Sequence, residues 1–173
     1  MASAPPGTPS APAAAAPAPP PGPPAPALDI PDLEGRTASL DQYRGRPLVI
    51  NFWASWCEPC QREMPSLVRL NETLAPGGLS IVAVSIDTNR SAVDAFLNRR
   101  PLPMRVLLDP RHAAADRFGV GLIPASFVVD SEGRVLERLD GEADWMRPDM
   151  VEMLRGLLAG PAPPAAAADR GAT

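Results

Sequence analysis

Both cysteines of the chain fall within "NFWASWCEPC", residues 51–60, separated by Glu58 and Pro59. Two sulfurs at this spacing serve as a structural staple, as half of a metal site, or as a pair that trades electrons. A staple closing so short a loop removes little unfolded-state entropy. Structural zinc takes four ligands and one C-x-x-C supplies two, so the single histidine, His112, and a carboxylate would have to converge on it. Covalent haem attachment needs a histidine after the second cysteine, where this chain has Gln61. A strand, then C-x-x-C, then a helix is the setting of redox chemistry, which the context favours over the other two.

The flanking residues say how such a pair would work. From Cys57 the pattern turns helical, with Met64, Leu67, Leu70 and Leu74 spaced by threes and fours. Cys57 then lies at a helix N-terminus, where unpaired N–H groups and the helix dipole favour a thiolate. Pro59 suits the first turn, since its missing N–H costs nothing there. At about 100° per residue, Leu67, Asn71 and Met64 fall within roughly 40° of Cys60. Cys60 should therefore point inward while Cys57 sits at the tip. Cys57 would attack a substrate disulfide, and Cys60 would resolve the mixed disulfide.

Glu63 falls on the same apolar arc, between Leu70 and Leu74. A carboxyl buried there would hold its proton more tightly and could handle the proton of Cys60. The competing reading is a side chain that snorkels to water. Glu58 opposes a thiolate at Cys57 by its charge, yet suits a helix N-terminus; it would tune the potential or the docking surface.

The elements that must position these groups follow from patterning. "LDIPDLEGRTASLDQYRGRP" reads as a hairpin around Glu34-Gly35. "PLVINFWA" and "LSIVAVSID" are apolar runs expected of strands buried on both faces. "SAVDAFLNRR" reads as a helix capped by Ser91, "MRVLLD" as a strand, and "RHAAADRF" as a short helix stopped at Gly119. "ASFVVD" and "RVLERLD" form an antiparallel hairpin, followed by the amphipathic helix "RPDMVEMLRGLLA". The alternation implies a three-layer α/β domain with a mixed sheet.

The first 26 residues hold 11 Pro and 9 Ala with no charged or aromatic side chain. Such a stretch cannot offset its ordering entropy, so 1–26 is expected to be a disordered spacer, as is the tail 160–173; the domain spans 27–159. No stretch approaches the ~20 apolar residues of a membrane span, and no signal peptide is visible. A Pro/Ala leader of this kind often tethers a domain to something upstream. The 16 basic residues are all Arg and scattered, and the net charge is -4. That gives no footprint for nucleic acid, and none is expected as a partner.

"NFWASWCEPC" followed by "QREMP", with "FGVGLIPASFVVDSEGRV" and "GEADW", resembles the extracytoplasmic thioredoxin-like family typified by TlpA and ResA, close to the redoxin and AhpC/TSA group. The resemblance covers nearly the whole domain. It implies a thioredoxin-like α/β/α fold with a central mixed sheet and an N-terminal β-hairpin. It implies a Cys57–Cys60 disulfide, a cis bond at Ile123–Pro124 that presents backbone to an extended substrate, and a proton-handling Glu63. Catalytic residues are thus Cys57, Cys60, Glu63 and Pro124; substrate contacts are Trp56, Glu58, Pro59 and Ile123, whereas Trp53 and Trp145 pack. It implies a reductant of protein disulfides, with clients of the cytochrome c maturation or copper-oxidase assembly type. A membrane disulfide reductase would donate electrons, and the setting would be periplasmic, with a membrane tether. No cofactor or metal is expected, and the chain should be monomeric. The alternatives are a redox-inert or metal-delivering binding module, or a protein disulfide oxidant. Two departures bear on this. Asn51 stands where cytoplasmic thioredoxin has an Asp, leaving Glu63 as the candidate base. Ala125-Ser126-Phe127 replaces Thr-Thr-Phe after the proline, a change expected to shift substrate preference. The peroxidatic motif Pro-x-x-x-Thr-x-x-Cys is missing, which disfavours direct peroxide reduction.

Overall fold

All six residues of β3 (Leu48–Trp53) are buried, as a strand covered on both faces requires. The computed structural model describes residues 22–160 and places this strand at the centre of a five-stranded sheet. On one side β4 (Ser80–Ser85) pairs with it in parallel, and β5 (Arg105–Leu108) extends that pairing. On the other side β6 (Ala125–Val129) runs antiparallel to β3, and β7 (Val135–Asp140) closes the hairpin. The order is β5-β4-β3-β6-β7. A separate antiparallel hairpin, β1 (Ile30–Pro31) with β2 (Thr37–Ala38), precedes the sheet.

Side-chain alternation divides the core in two. Val49, Trp53, Ile81, Ala83 and Val128 face α1 (Glu58–Leu74), α2 (Arg90–Arg99) and α4 (Pro148–Leu158). Leu48, Ile50, Phe52, Val84 and Phe127 face the hairpin and α3 (Ala113–Arg117). Phe52, Phe118 and Phe127 meet there, with ring centroids 5.0 to 5.9 Å apart. The result is the expected three-layer α/β/α sandwich with a mixed sheet and an N-terminal hairpin. The alternation also puts Asn51 on the α1 side, within reach of that helix.

Two local expectations change. The α2 cap is Asn89, not Ser91: the Asn89 side chain accepts the Ser91 N–H at 2.9 Å. Both residue types cap well, and the helix starts two residues earlier than expected. The spacer and tail expectations lie outside the described residues over 1–21 and 161–173. Within 22–26, the Val135 N–H donates to Pro23 O at 2.8 Å and the Ala25 N–H to Gly133 O at 2.9 Å. A proline carbonyl can still accept at a sheet edge, so tertiary hydrogen bonding starts before residue 27. Among the described residues, no helix is long and apolar enough to cross a membrane.

Candidate functional site

The turn between β3 and α1 is held before the helix begins. The Ser55 N–H and Oγ donate to Asp87 at 2.8 and 2.6 Å, and the Gln61 side chain donates to Ser55 O at 2.7 Å. Asp87 is itself fixed by Ser85 at the end of β4. Cys57 occupies the N-cap of α1, and its Sγ accepts the Cys60 N–H at 3.3 Å. The sulfur thus takes the position of a capping oxygen, where the helix offers an unpaired donor. Pro59 sits in the first turn.

Cys57 and Cys60 are joined by a disulfide, with Cα atoms 5.3 Å apart. Cys60 is wholly buried, and Cys57 retains a sliver of exposure. The Ile123–Pro124 peptide bond is cis, and the Ile123 carbonyl oxygen lies 3.9 Å from Cys57 Sγ. The two sequence landmarks, 66 residues apart, therefore meet at one sulfur.

A groove of about 480 Å³ opens beside Cys57. Its walls include Trp56, Pro59, Ile86, Val120, Leu122 and Ile123, and Glu58, His112 and Asp116 stand at its polar parts. Trp56 is 69% exposed and Leu122 81%, the two large apolar side chains most open to water among the described residues. Exposed aromatic and aliphatic groups beside a reactive centre mark a surface that another molecule covers. His112 is exposed, and its Nε2 lies 3.0 Å from Ile86 O. Among the described residues no three His, Cys, Asp or Glu side chains are arranged to hold a metal ion.

Glu63 follows Cys60 by three residues on α1 and is only 1% exposed, so the snorkelling alternative does not hold. Its Oε1 accepts from Asn51 Nδ2 at 2.5 Å, and its Oε2 accepts the Ala143 N–H at 3.0 Å. Burial pushes its pKa up to about 7, against the lowering effect of those two hydrogen bonds, and the nearby Glu142 charge adds to the rise. A carboxyl in this range exchanges protons at neutral pH. Asn51 also donates to Ser126 Oγ at 2.9 Å. Trp53 and Trp145 are fully buried packing residues.

Sequence reading overlooked several of these partners. Leu122 was signalled only by being a large apolar residue in a glycine-rich loop beside Pro124. Ser126 accepts from Asn51 inside β6, and Ala125 is buried on the opposite face of the sheet, so of these two positions Ser126 is the one that meets the Asn51–Glu63 pair. Arg62 pairs with both Glu58 and Glu142 at 2.9 Å, a bridge that spacing along one helix cannot reveal. Glu58 is accordingly an exposed, paired carboxylate.

The chain resembles known proteins in both sequence and fold. The chain is 36% identical over 113 residues to the thiol-disulfide oxidoreductase ResA of Bacillus anthracis, covering 65% of each chain. It is 30% identical over 112 residues to ResA of Bacillus subtilis (strain 168), covering 65% of this chain and 63% of that one. The aligned part thus spans just under two thirds of these relatives. A thioredoxin-family thiol:disulfide interchange protein from Chlorobium tepidum TLS superposes with a TM-score of 0.68 at 25% identity, over 82% of this chain and 99% of that one. The fold is therefore thioredoxin-like. The model of the AhpC/TSA family matches residues 21–138, most of the domain including both cysteines, Glu63 and the Ile123–Pro124 bond, and the chain belongs to that family.

Proposed function

We propose that the protein is a thiol–disulfide oxidoreductase that reduces disulfides in protein clients. The observation that carries this reading is the placement of Cys57: it caps α1, borders the apolar groove, and lies against the Ile123 carbonyl with Cys60 sealed beneath it. In the reduced protein the Cys57 thiolate attacks one sulfur of a client disulfide, forming a mixed disulfide and expelling the other sulfur as thiolate. Cys60 passes its proton to Glu63 and attacks Cys57 Sγ. The Cys57–Cys60 disulfide forms, the second client sulfur leaves as thiolate, and the client has gained two electrons. The disulfide form described above is the product of that cycle.

Trp56, Glu58, Pro59 and Ile123 form the client surface, and the backbone at Pro124 aligns an extended segment. The likeness to ResA supports clients of the cytochrome c maturation type, with copper-oxidase assembly proteins as the neighbouring class. It also supports a site of action outside the cytoplasm and a membrane disulfide reductase as electron donor. A monomer suffices for this chemistry, since every group named comes from one chain.

Insulin reduction by dithiothreitol tests the activity. Cys57→Ser should abolish catalysis, and Cys60→Ser should accumulate mixed disulfides with its clients. Full activity in the Cys57→Ser protein would overturn the proposal.

A further inference from the structure

A second groove, of about 460 Å³, opens over Glu63, lined by Arg62, Ser66, Glu142, Ala143 and Asp144. It shares no lining residue with the groove beside Cys57. The distinction matters on the reading of the preceding section, on which this inference rests. While a client is joined to Cys57, it covers the first groove. Cys60 must nevertheless lose a proton at that stage, and Glu63, which takes it, must return it to water before the next turnover.

We propose that the second groove is the route by which Glu63 exchanges its proton with solvent while a client is bound, and that Glu142 and Arg62 at its mouth are positioning residues that govern this exchange. The proton leaves Cys60 Sγ as that sulfur bonds to Cys57, resides on a Glu63 oxygen, and passes to water in the groove. No electron moves in the second step.

The charged and polar groups facing Glu63 come from four places. Asn51 on β3 donates to it, with Ser126 on β6 behind. Arg62 belongs to α1. Glu142 and Asp144 belong to the loop after β7, whose Ala143 N–H donates to Oε2. Glu142 raises the proton affinity of Glu63 by its charge. Arg62 Nε holds Glu142 Oε2 at 2.9 Å, while Arg62 Nη1 holds Glu58 Oε1 at 2.9 Å. One guanidinium therefore ties the carboxylate between the cysteines to the carboxylate over Glu63. A client that displaced Glu58 from Arg62 would leave Arg62 to neutralise Glu142 more fully, and Glu63 would release its proton more readily.

The two mouth residues should act with opposite sign, which a merely structural role would not produce. Glu142→Gln removes a negative charge and should move the pH midpoint for resolution of a Cys57-linked mixed disulfide downward. Arg62→Gln frees Glu142 and should move it upward. Both side chains are substantially exposed, so both variants should fold. The experiment is stopped-flow resolution of a preformed mixed disulfide with a model cystine peptide, from pH 5 to 9, at low and high salt. Shifts of opposite sign that shrink in salt support the inference. Unchanged midpoints in both variants, or shifts of the same sign, in a protein that reduces insulin normally would overturn it. A wild-type protein that does not reduce insulin would instead overturn the functional reading beneath it.

Discussion

Asn51 Nδ2 donates to Glu63 Oε1 across 2.5 Å, so the position held by an Asp in cytoplasmic thioredoxin is here a donor to the buried carboxylate. The amide supplies that donor whatever the charge on Glu63, whereas an oxygen in place of Nδ2 would need a proton held by one of the two carboxyls. Asn51→Asp should therefore turn one buried carboxyl into a coupled pair that ionises in two steps, only the first of them near neutral pH. The variant should lose stability more steeply than wild type between pH 5 and 8, by on the order of 1–3 kcal/mol at the upper end. Urea unfolding at the two pH values checks this, and equal slopes for both proteins would contradict it.

Glu63 alone already makes stability depend on pH. Its folded pKa, pushed up to about 7 from 4.5, means that the folded state binds more protons than the unfolded state between those values. Stability contributed by the neutral carboxyl is thus fully present below pH 4.5 and is lost as pH rises through 7, by on the order of 3 kcal/mol. Glu63→Gln removes this decline. A glutamine, however, has one oxygen for the two donors Asn51 and Ala143, and one of them loses its acceptor at a cost of about 1–3 kcal/mol. The variant should be the weaker protein at pH 5, and the gap should close or reverse at pH 8. A gap that is constant with pH would show that Glu63 does not titrate in this range.

How much of this could be read from residue order divides along the range of the contacts. Cys57 at the helix tip, Cys60 beneath it, and Met64, Leu67, Leu70 and Leu74 on the buried face all follow from one helical period, and the structure has them so. The period also placed Glu63 in the apolar arc, but it left burial and snorkelling equally available. What decides between them is Asn51 from β3 and the Ala143 N–H, 80 residues away in sequence, and neither signals itself in a local pattern. Asn51 was legible only as a missing Asp. Its value as a donor depends on the strand alternation that turns it toward α1. Glu142 and Arg62 escaped notice because a solvated helix face and a polar loop have the same composition whether or not they close over a buried acid.

The hairpin is anchored by a second buried carboxylate, Asp32, which is 1% exposed. Burial opposes its ionisation, but hydrogen bonds from Arg105, from the Arg36 N–H and from the Arg36 side chain outweigh that effect and hold the carboxyl well below the usual carboxylate range. The sign is opposite to that of Glu63. The stabilisation is present above the ordinary Asp pKa and is lost as pH falls below it. Arg105 also donates to Asp32 Oδ2 at 2.8 Å across the gap between β5 and the hairpin. Arg105→Gln should lower the melting temperature by several degrees at pH 7, with the difference from wild type narrowing in acid as the unfolded chains take up the Asp32 proton that the folded wild type still resists. Thermal unfolding followed by circular dichroism at pH 7 and pH 2.5 checks it, and a deficit that persists undiminished in acid would place the cost elsewhere.

Trp56 and Leu122 flank Cys57 and contribute little to the core, being 69% and 81% exposed. Truncating them should therefore leave stability near wild type while removing apolar contact with anything that lies in the groove. A buried aromatic or aliphatic anchor at an interface is worth about 1–2 kcal/mol or more, which corresponds to roughly tenfold in kcat/KM. Trp56→Ala and Leu122→Ala should each lower kcat/KM for a polypeptide disulfide such as insulin by about that factor. A small disulfide such as hydroxyethyl disulfide reaches Cys57 without spanning the groove, and its reduction should change by less than about twofold. Parallel losses on both substrates would mean that these side chains set the reactivity of the sulfur itself. Losses confined to the polypeptide identify the groove as the place where the client's chain, beyond its cystine, is held.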